Sequence, residues 1–146
     1  MNQTAERLTR ILAITPPRLV DISDDEAGRE LAPGHWSKKQ ILGHLIDSAS
    51  NNHQRFVRAQ LTPNYQGPSY EQEQWVAAQS YAMESWPDLV NLWLLYNRHL
   101  LHIIRTMPEK PLAAPCTIGD SAPVPLSEVM SSYVDHMEHH LAQILG

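Results

Sequence analysis

The sequence predicts an all-α protein whose helices form a four-helix bundle. Four long segments repeat apolar residues three or four positions apart, which is the spacing of one face of a helix. A serine cap stands at the start of two of these segments, and stretches rich in proline and glycine separate them. The length of 146 residues is typical of one domain, so we expect residues 1–146 to form a single bundle domain.

The first helix is predicted over residues 3–14. Three apolar residues recur there at helical spacing: Leu8, Ile11 and Leu12. Pro16 and Pro17 are expected to end this helix, because proline lacks an amide donor and its ring clashes with the preceding turn. The acidic run over residues 24–26 is expected to be a solvated loop or a short helix.

The second helix begins with a capping box. The side chains of Ser37 and Gln40 can each accept a hydrogen bond from the other residue's amide. The helix is expected to continue to about Leu61. Its apolar stripe contains Ile41, Leu45, Phe56 and Ala59. His44 lies on or beside that stripe, and polar residues continue the same side: Asp47, Ser48, Asn51, Asn52 and Arg55. A ligand-holding cavity would explain this polarity, and a solvent-facing side is the alternative.

The middle of the chain predicts a short helix and a third long one. The short helix is expected over residues 71–81, with Trp75 and Val76 facing inward. The third long helix opens at Ser85 as N-cap, with Pro87 in the first turn, and ends near Met107. Its broad apolar face contains Leu89, Leu92, Trp93, Tyr96, Leu100, Ile103 and Ile104.

The last third of the chain starts with an irregular stretch over residues 108–125. Within it, residues 116–118 are a candidate extended segment. The fourth long helix is predicted over residues 127–145. Its apolar face contains Val129, Met130, Tyr133, Met137, Leu141 and Ile144.

Composition and charge exclude several classes of partner. The formal charge is −5 and no basic patch is evident, so nucleic acid is not an expected partner. No apolar run approaches the ~18 residues of a membrane helix, and the N-terminus lacks a signal-peptide layout. The single cysteine, Cys116, cannot form an intramolecular disulfide, which fits a reducing compartment. We therefore expect a cytoplasmic protein that does not enter a membrane.

Histidine is the unusual feature of the composition, with eight residues in the chain. His136 and His140 are four positions apart, so both imidazoles lie on one side of the last helix, beside its apolar face. His139 points more outward and is expected to be a surface or supporting residue. Two imidazoles at this spacing can bind one transition metal if a third ligand comes from elsewhere, and His44 is the candidate.

Two known metal motifs are absent. A zincin helix needs a glutamate directly after its first histidine, where this chain has Met137. A di-iron bundle needs Glu-x-x-His pairs, and no histidine here has a glutamate three positions before it. Three histidines with open coordination positions remain the best interpretation. Such a site can lower the pKa of a bound water, or bind a thiol as its thiolate.

Two stretches resemble the DinB/YfiT-like family of metalloenzymes. They are residues 36–48, which contain His44, and residues 133–144, which contain His136 and His140. The resemblance extends to the bundle layout and covers nearly the whole chain. It implies an up-down-down-up bundle, frequently dimeric, in which His44, His136 and His140 bind a divalent metal, often zinc or nickel. Characterised members include bacillithiol S-transferases and isomerases that use mycothiol or glutathione.

The resemblance implies a metal site more directly than a reaction. The first hypothesis is a metal-dependent thiol S-transferase that takes a small-molecule substrate and a low-molecular-weight thiol. The second is a metal-dependent hydrolase, and the third is a catalytically silent metal-binding dimer. No further catalytic residue is assigned. Arg55 is a candidate to meet an anionic cofactor, although its spacing places it about three turns from His44.

Several neighbours of the histidines have weaker expectations. Asp47 is one turn from His44 and could hydrogen-bond a ligand or a bound water. Asp135 and Glu138 are expected to be solvated helix charges rather than supports for the histidines, and Gln143 could line the cavity. Cys116 is expected to be an ordinary free thiol in a loop. The tryptophans are expected in the core or at a dimer interface: Trp36, Trp75, Trp86 and Trp93.

Overall fold

Four long helices dominate the computed structural model, which describes residues 2–146. They are α1 (Asn2–Val20), α3 (Lys38–Leu61), α5 (Trp86–Thr106) and α7 (Leu126–Leu145). Short helices lie between them: α2 (Asp24–Ala27), α4 (Gln72–Ala78), a 3-10 turn (Tyr81–Met83) and α6 (Glu109–Leu112). Three short strands complete the chain: β1 (Tyr65–Gly67), β2 (Pro115–Ile118) and β3 (Val124–Pro125).

The long helices form a four-helix bundle. Helices α1 and α3 each pack against both α5 and α7. Helix α1 therefore lies diagonally opposite α3 in the bundle, and α5 lies diagonally opposite α7. The starts of α3 and α5 lie beside the end of α1, and the end of α7 lies beside the start of α3, which confirms the predicted up-down-down-up fold. None of the helices in residues 2–146 is long and apolar enough to cross a membrane.

The helix starts follow the predicted capping chemistry. The Ser37 hydroxyl accepts the amide of Gln40, and the Gln40 side chain accepts the amide of Ser37. Ser85 caps α5 by accepting the amide of Asp88. These caps fix where α3 and α5 begin, and hence which side chains face the core.

Helix α1 is longer than the sequence predicts. It continues through Pro16 and Pro17 to Val20, although an interior proline costs about 3 kcal/mol relative to alanine. The reason is tertiary packing beyond the prolines. Leu19 is fully buried, and its carbonyl oxygen accepts a hydrogen bond from Nε1 of Trp86 at 2.8 Å. Burial of Leu19 and its hydrogen bond to Trp86 offset the loss of two amide donors.

The acidic run has a structural role that its composition does not reveal. It forms α2, capped by Ser23. The carboxylate of Asp24 accepts the backbone amide of Trp86 at 2.8 Å and the ammonium group of Lys39 at 3.1 Å. These contacts lower the pKa of Asp24, the hydrogen bond from the Trp86 amide contributing most. The segment thus ties the starts of α3 and α5 together.

Two predicted inward-facing side chains are exposed. Leu92 is 50% exposed, because the buried stripe of α5 runs through Trp93, Asn97, Leu100 and Ile104, and Leu92 lies at its edge. Trp75 is 38% exposed, whereas its neighbour Val76 is buried as predicted. Trp86 and Trp93 are core residues, and Trp36 is half-buried against the core.

A small sheet covers one side of the bundle. Strand β1 pairs with β2 in parallel, and β2 pairs with β3 in antiparallel orientation. The predicted extended segment at residues 116–118 corresponds to β2. Its partner β1 is contributed by a distant connection, and no local sequence signal predicts that pairing. The sheet brings Cys116 and Ile118 beside the polar side of α3.

Candidate metal centre

The structure brings His44, His136 and His140 together between α3 and α7. His44 is fully buried, and it lies seven residues after the Ser37 cap of α3. His136 and His140 lie one turn apart on α7 and are half-buried. The predicted spacing argument therefore describes the observed arrangement. Each of the three residues offers a ring nitrogen, and these nitrogens all lie within 4.8 Å of one another.

The three imidazoles face one another edge-on. Nε2 of His44 lies 2.9 Å from Nε2 of His136. The ring centroid of His44 is 4.8 Å from that of His136 and 4.7 Å from that of His140. The centroids of His136 and His140 are 4.5 Å apart. Their nitrogens therefore converge on one small volume.

Burial keeps these histidines neutral. Desolvation, followed by the neighbouring His136 and His140, lowers the pKa of His44 to about 3. Desolvation, followed by His140 and His139, lowers the pKa of His136 to about 4. Burial also lowers the pKa of His140, although its bond to Gln143 opposes the shift. Neutral imidazole is the form that binds metal, so no proton has to leave these rings near pH 7.

The contacts around the rings also suit metal binding. Oε1 of Gln143 accepts a hydrogen bond from Nδ1 of His140 at 2.8 Å, which leaves Nε2 of that ring with its lone pair free. Nδ1 of His44 is buried without a hydrogen-bond partner. Two nitrogens bound to one zinc-like ion are about 3.0–3.4 Å apart when each bond is ~2.1 Å. The observed 2.9 Å between His44 and His136 is close to that range, so the donor set fits a divalent transition metal.

Three residues of α7 beside the histidines do not contribute to the cluster. His139 is exposed on α7, which agrees with its predicted outward direction. Asp135 and Glu138 do not support the imidazoles. Both bind the guanidinium group of Arg7 on α1, at 2.6 and 2.7 Å. They connect the outer sides of α1 and α7.

Asp47 has a different partner from the one its spacing suggests. It is buried, and its Oδ1 accepts hydrogen bonds from the hydroxyl of Tyr81 at 2.7 Å and from Nε2 of Gln79 at 2.8 Å. Burial raises its pKa, and these two hydrogen bonds oppose the shift. Asp47 therefore anchors the segment that contains α4 and the 3-10 turn to α3, next to the histidines. Its Oδ2 is buried without a partner.

Gly43 makes this anchoring possible. A Cβ atom at residue 43 would overlap the ring of Tyr81. The glycine lets the aromatic ring lie directly on α3, one residue before His44. Sequence reasoning did not single out Gly43, because a lone glycine inside a helical pattern reads only as a local weakness.

Two open cavities meet the histidine cluster from different sides. The first has a volume of about 430 Å³ and reaches His136. Hydroxyl and amide groups contribute much of its wall, among them Ser48, Asn52, Ser132 and Tyr133. We call it the hydroxyl-lined cavity. The second has a volume of about 500 Å³ and reaches His140 and Gln143. The predicted position of Gln143 at a cavity wall is therefore observed.

Arg55 and Cys116 both line the hydroxyl-lined cavity. Cys116 lies in strand β2 rather than in a loop and is only 1% exposed. Burial raises the pKa of its thiol, which disfavours the thiolate form. Cys116 is thus a buried free thiol in the cavity wall. The structure supports the ligand-holding interpretation for part of the polar side of α3, because Ser48, Asn52 and Arg55 line this cavity. Asn51 lies instead on a neighbouring cavity, which Arg55 also borders.

Comparison with known proteins gives a family and a fold. The family model described as the DinB superfamily matches residues 7–144. A protein from Oceanobacillus iheyensis, named "Putative metal-dependent hydrolase", is 23% identical over 144 residues, which cover 95% of this chain and 78% of that protein. A protein of the same description from Bacillus mycoides is 23% identical over 124 residues, which cover 85% of this chain and 71% of that protein.

Two solved structures share the bundle. YfiT from Bacillus subtilis, described as a probable metal-dependent hydrolase with an unusual four-helix bundle topology, superimposes with a TM-score of 0.85 at 20% identity. The match covers 98% of this chain and 82% of YfiT. A mycothiol-dependent maleylpyruvate isomerase gives a TM-score of 0.80 at 15% identity, covering 98% of this chain and 60% of that protein. At these identities the likeness establishes the fold alone.

Proposed function

Since this chain belongs to the DinB superfamily, we propose that it is an enzyme that depends on a divalent metal. His44, His136 and His140 are the proposed ligands, and zinc or nickel the proposed metal. The observation that carries the proposal is the convergence of three neutral ring nitrogens within 4.8 Å beside two open cavities. Imidazole suits both metals.

The composition of the cluster indicates what the centre could do. It contains no carboxylate or thiolate, so the ligands would leave the charge of a divalent ion uncompensated. When bound, such an ion supplies a positive centre that lowers the pKa of a thiol or a water reaching its open positions. The cavities give a small molecule access to His136 and His140, while His44 stays behind them in the core.

We propose thiol S-transfer as the reaction. The sulfur of a low-molecular-weight thiol would form a bond to an electrophilic carbon of the substrate. The leaving group would depart with the bonding electron pair, and the thiol proton would pass to solvent. The mycothiol dependence stated for the isomerase of similar fold supports a thiol. The hydroxyl-lined cavity, at about 430 Å³, has the size of a small-molecule site.

Hydrolysis is the second candidate. It is favoured by the descriptions of the relatives from Oceanobacillus iheyensis and Bacillus mycoides and of YfiT as metal-dependent hydrolases. In that case a water, and not a thiol, would occupy the same open positions. The chain's own contribution is the same in both reactions: three neutral ligands and a polar cavity that orients the substrate.

A paired assay separates the two reactions. Protein purified without a histidine tag and loaded with zinc or nickel is given bacillithiol or glutathione with a generic electrophile. The same preparation is given a panel of esters and amides without thiol. We expect thiol-dependent conjugation that chelation abolishes and that His136→Ala lacks. Chelator-sensitive cleavage without thiol turnover would instead favour the hydrolase, and inactivity in both assays would favour the silent metal-binding protein.

Three broader expectations remain proposals. We propose that residues 1–146 act as one bundle domain, that the protein is a homodimer, and that it works in the cytoplasm. Light scattering of the purified protein measures the oligomeric state directly. A monomer at micromolar concentration would rule out the stable homodimer that the family resemblance implies.

A further inference from the structure

Arg55 is a half-buried cation between the hydroxyl-lined cavity and a neighbouring cavity that Arg58 also lines. The ion pairs formed among residues 2–146 do not include it. Burial lowers its pKa below the ordinary value, and the neighbouring Tyr70 and Tyr65 oppose the shift. A desolvated guanidinium group without a carboxylate partner is costly, and an anion in the cavity would compensate it.

The hydrogen bonds of Arg55 leave part of its fork open. Nη2 donates to the carbonyl oxygen of Pro68 at 3.2 Å, and Nη1 donates to Oδ1 of Asn52 at 3.5 Å. A guanidinium group has about five N–H donors, so several remain for a ligand. The two observed bonds also hold the side chain in place. The group is therefore positioned before any ligand arrives.

Arg55 and the proposed metal centre lie on the wall of the same cavity. Arg55 lies eleven residues after His44 on α3, about 16 Å along the helix axis. Nη1 contacts Asn52, one turn earlier and also on the wall of this cavity, while Nη2 bonds Pro68 at the neighbouring cavity. His136 lines the same cavity. One molecule lying in this cavity can thus reach both the cluster and Arg55.

We propose that Arg55 binds a carboxylate of the substrate or thiol cofactor, so that this enzyme takes an acidic small molecule with its reactive group at the histidines. The inference rests on the proposed function and adds the chemical class of the ligand. A single negative charge is favoured over a phosphate dianion. Glu128 lines the same cavity, and it would repel the second charge of a phosphate that only one cation neutralises.

The experiment uses two matched series of probes on the protein loaded with Co²⁺. One series contains ω-mercaptocarboxylates of increasing chain length, and the other contains the ω-mercaptoalcohols of equal length. Calorimetry gives the affinity for each. We expect the carboxylate to bind about ten- to a hundredfold more tightly than the alcohol once the chain spans the distance to Arg55. Short chains should show no such difference.

Variants identify the cation responsible. Arg55→Met should remove the carboxylate preference while leaving the affinity for the alcohols unchanged, and Arg55→Lys should keep part of it. Arg58→Met is the matched control, because Arg58 is one turn further along α3, is exposed and bonds Gln54 outside this cavity. A carboxylate preference that survives in both Arg55 variants would overturn the proposal.

A second titration separates this inference from the metal-dependent function. Alkanoates without a thiol, and the matching alcohols, are titrated into metal-free protein. If wild-type protein prefers the alkanoates and Arg55→Met does not, the carboxylate site stands even where the metal-loaded protein binds no thiol. If the metal-loaded protein binds both thiol series equally, the thiol site stands and the role of Arg55 is refuted.

Discussion

Two groups of histidines in this bundle look alike in sequence and differ in structure. His44, His136 and His140 converge with ring nitrogens within 4.8 Å. His53, His99 and His102 form a second group between α3 and α5. There the ring centroids of His53 and His99 are 5.3 Å apart, and those of His99 and His102 are 6.4 Å apart and stacked. Nδ1 of His53 forms a hydrogen bond with the hydroxyl of Tyr96, at 2.9 Å.

The difference shows that burial and direction, and not histidine density, make a candidate metal site. His99 and His102 are exposed on α5 and are three positions apart. Among the described residues, His44, His136 and His140 are the group of potential ligands whose donor atoms converge, and His99 and His102 are not part of it. His136 and His140 are four positions apart and face the buried His44. Both groups contain a histidine of α3, but only His44 is fully buried and faces both rings of the other helix, whereas His53 lies beside His99 and bonds Tyr96.

The largest predicted effect is on metal binding. His44→Ala and His136→Ala together should abolish stoichiometric zinc or nickel binding, because each removes a nitrogen from a set of only three. The matched control is the double variant His99→Ala and His102→Ala, which should retain the metal of the wild type. Elemental analysis of protein purified without a histidine tag measures both.

The result for the two double variants tests the comparison directly. Equal loss of metal in the control would mean that the second group contributes to binding. Metal retained by the variant with both His44→Ala and His136→Ala would contradict the proposed metal site. Circular dichroism of each variant verifies that the bundle is still formed.

The bundle could be predicted from sequence because its signals are local. The capping box at Ser37, the Ser85 cap and the apolar stripes lie within single helices, and each of them is observed. The end of α1 could not be predicted in this way. It depends on Leu19 packing beneath Trp86, a contact between residues far apart in the chain. The pairing of β1 with β2 has the same long-range origin.

The candidate site also has some features that a single helix predicts and others that depend on long-range contacts. The spacing of His136 and His140 is a property of one helix, so helix geometry alone predicts that both face the same way. The roles of Gly43 and Asp47 depend on Tyr81, which arrives from a separate segment. The approach of Arg55 to the cavity depends on the strands that complete its wall. Such contacts exist only after the chain has folded.

The second prediction concerns the pH dependence of stability in metal-free protein. The pKa of His44 in the folded state is about 3, below its ordinary value of 6.5. Between these values the unfolded chain binds a proton that the folded chain does not, so stability falls as pH decreases from 6.5 toward 3. At pH 5 the loss from His44 alone is about 2 kcal/mol relative to pH 7.

Urea unfolding at pH 7 and pH 5 measures this loss. The lowered pKa values of His136 and His140 act in the same direction and add to it. His44→Gln should reduce the difference in unfolding free energy between the two pH values. His102→Gln, an exposed histidine of the second group, is the control. If both variants kept the full pH dependence of the wild type, the buried cluster would not be its source.

The smallest predicted effect separates the two groups by what covers them. Tyr81 lies on α3 next to His44, in the space left by Gly43, while the exposed face of His99 and His102 has no comparable glycine beneath it. Gly43→Ala should destabilise the protein by about 1 kcal/mol net, because overlap of the new methyl group with the Tyr81 ring costs about 1–3 kcal/mol and helix propensity offsets part of that cost. Helix propensity alone would favour the alanine by about 1 kcal/mol.

In a Tyr81→Ala background the overlap is gone, so the same substitution should become stabilising. The difference between Asn91→Gly and Asn91→Ala, at an exposed position of α5, reports the glycine-to-alanine propensity gain by itself. A Gly43→Ala effect of the same sign with and without Tyr81, measured by urea unfolding, would show that the aromatic ring does not depend on the glycine.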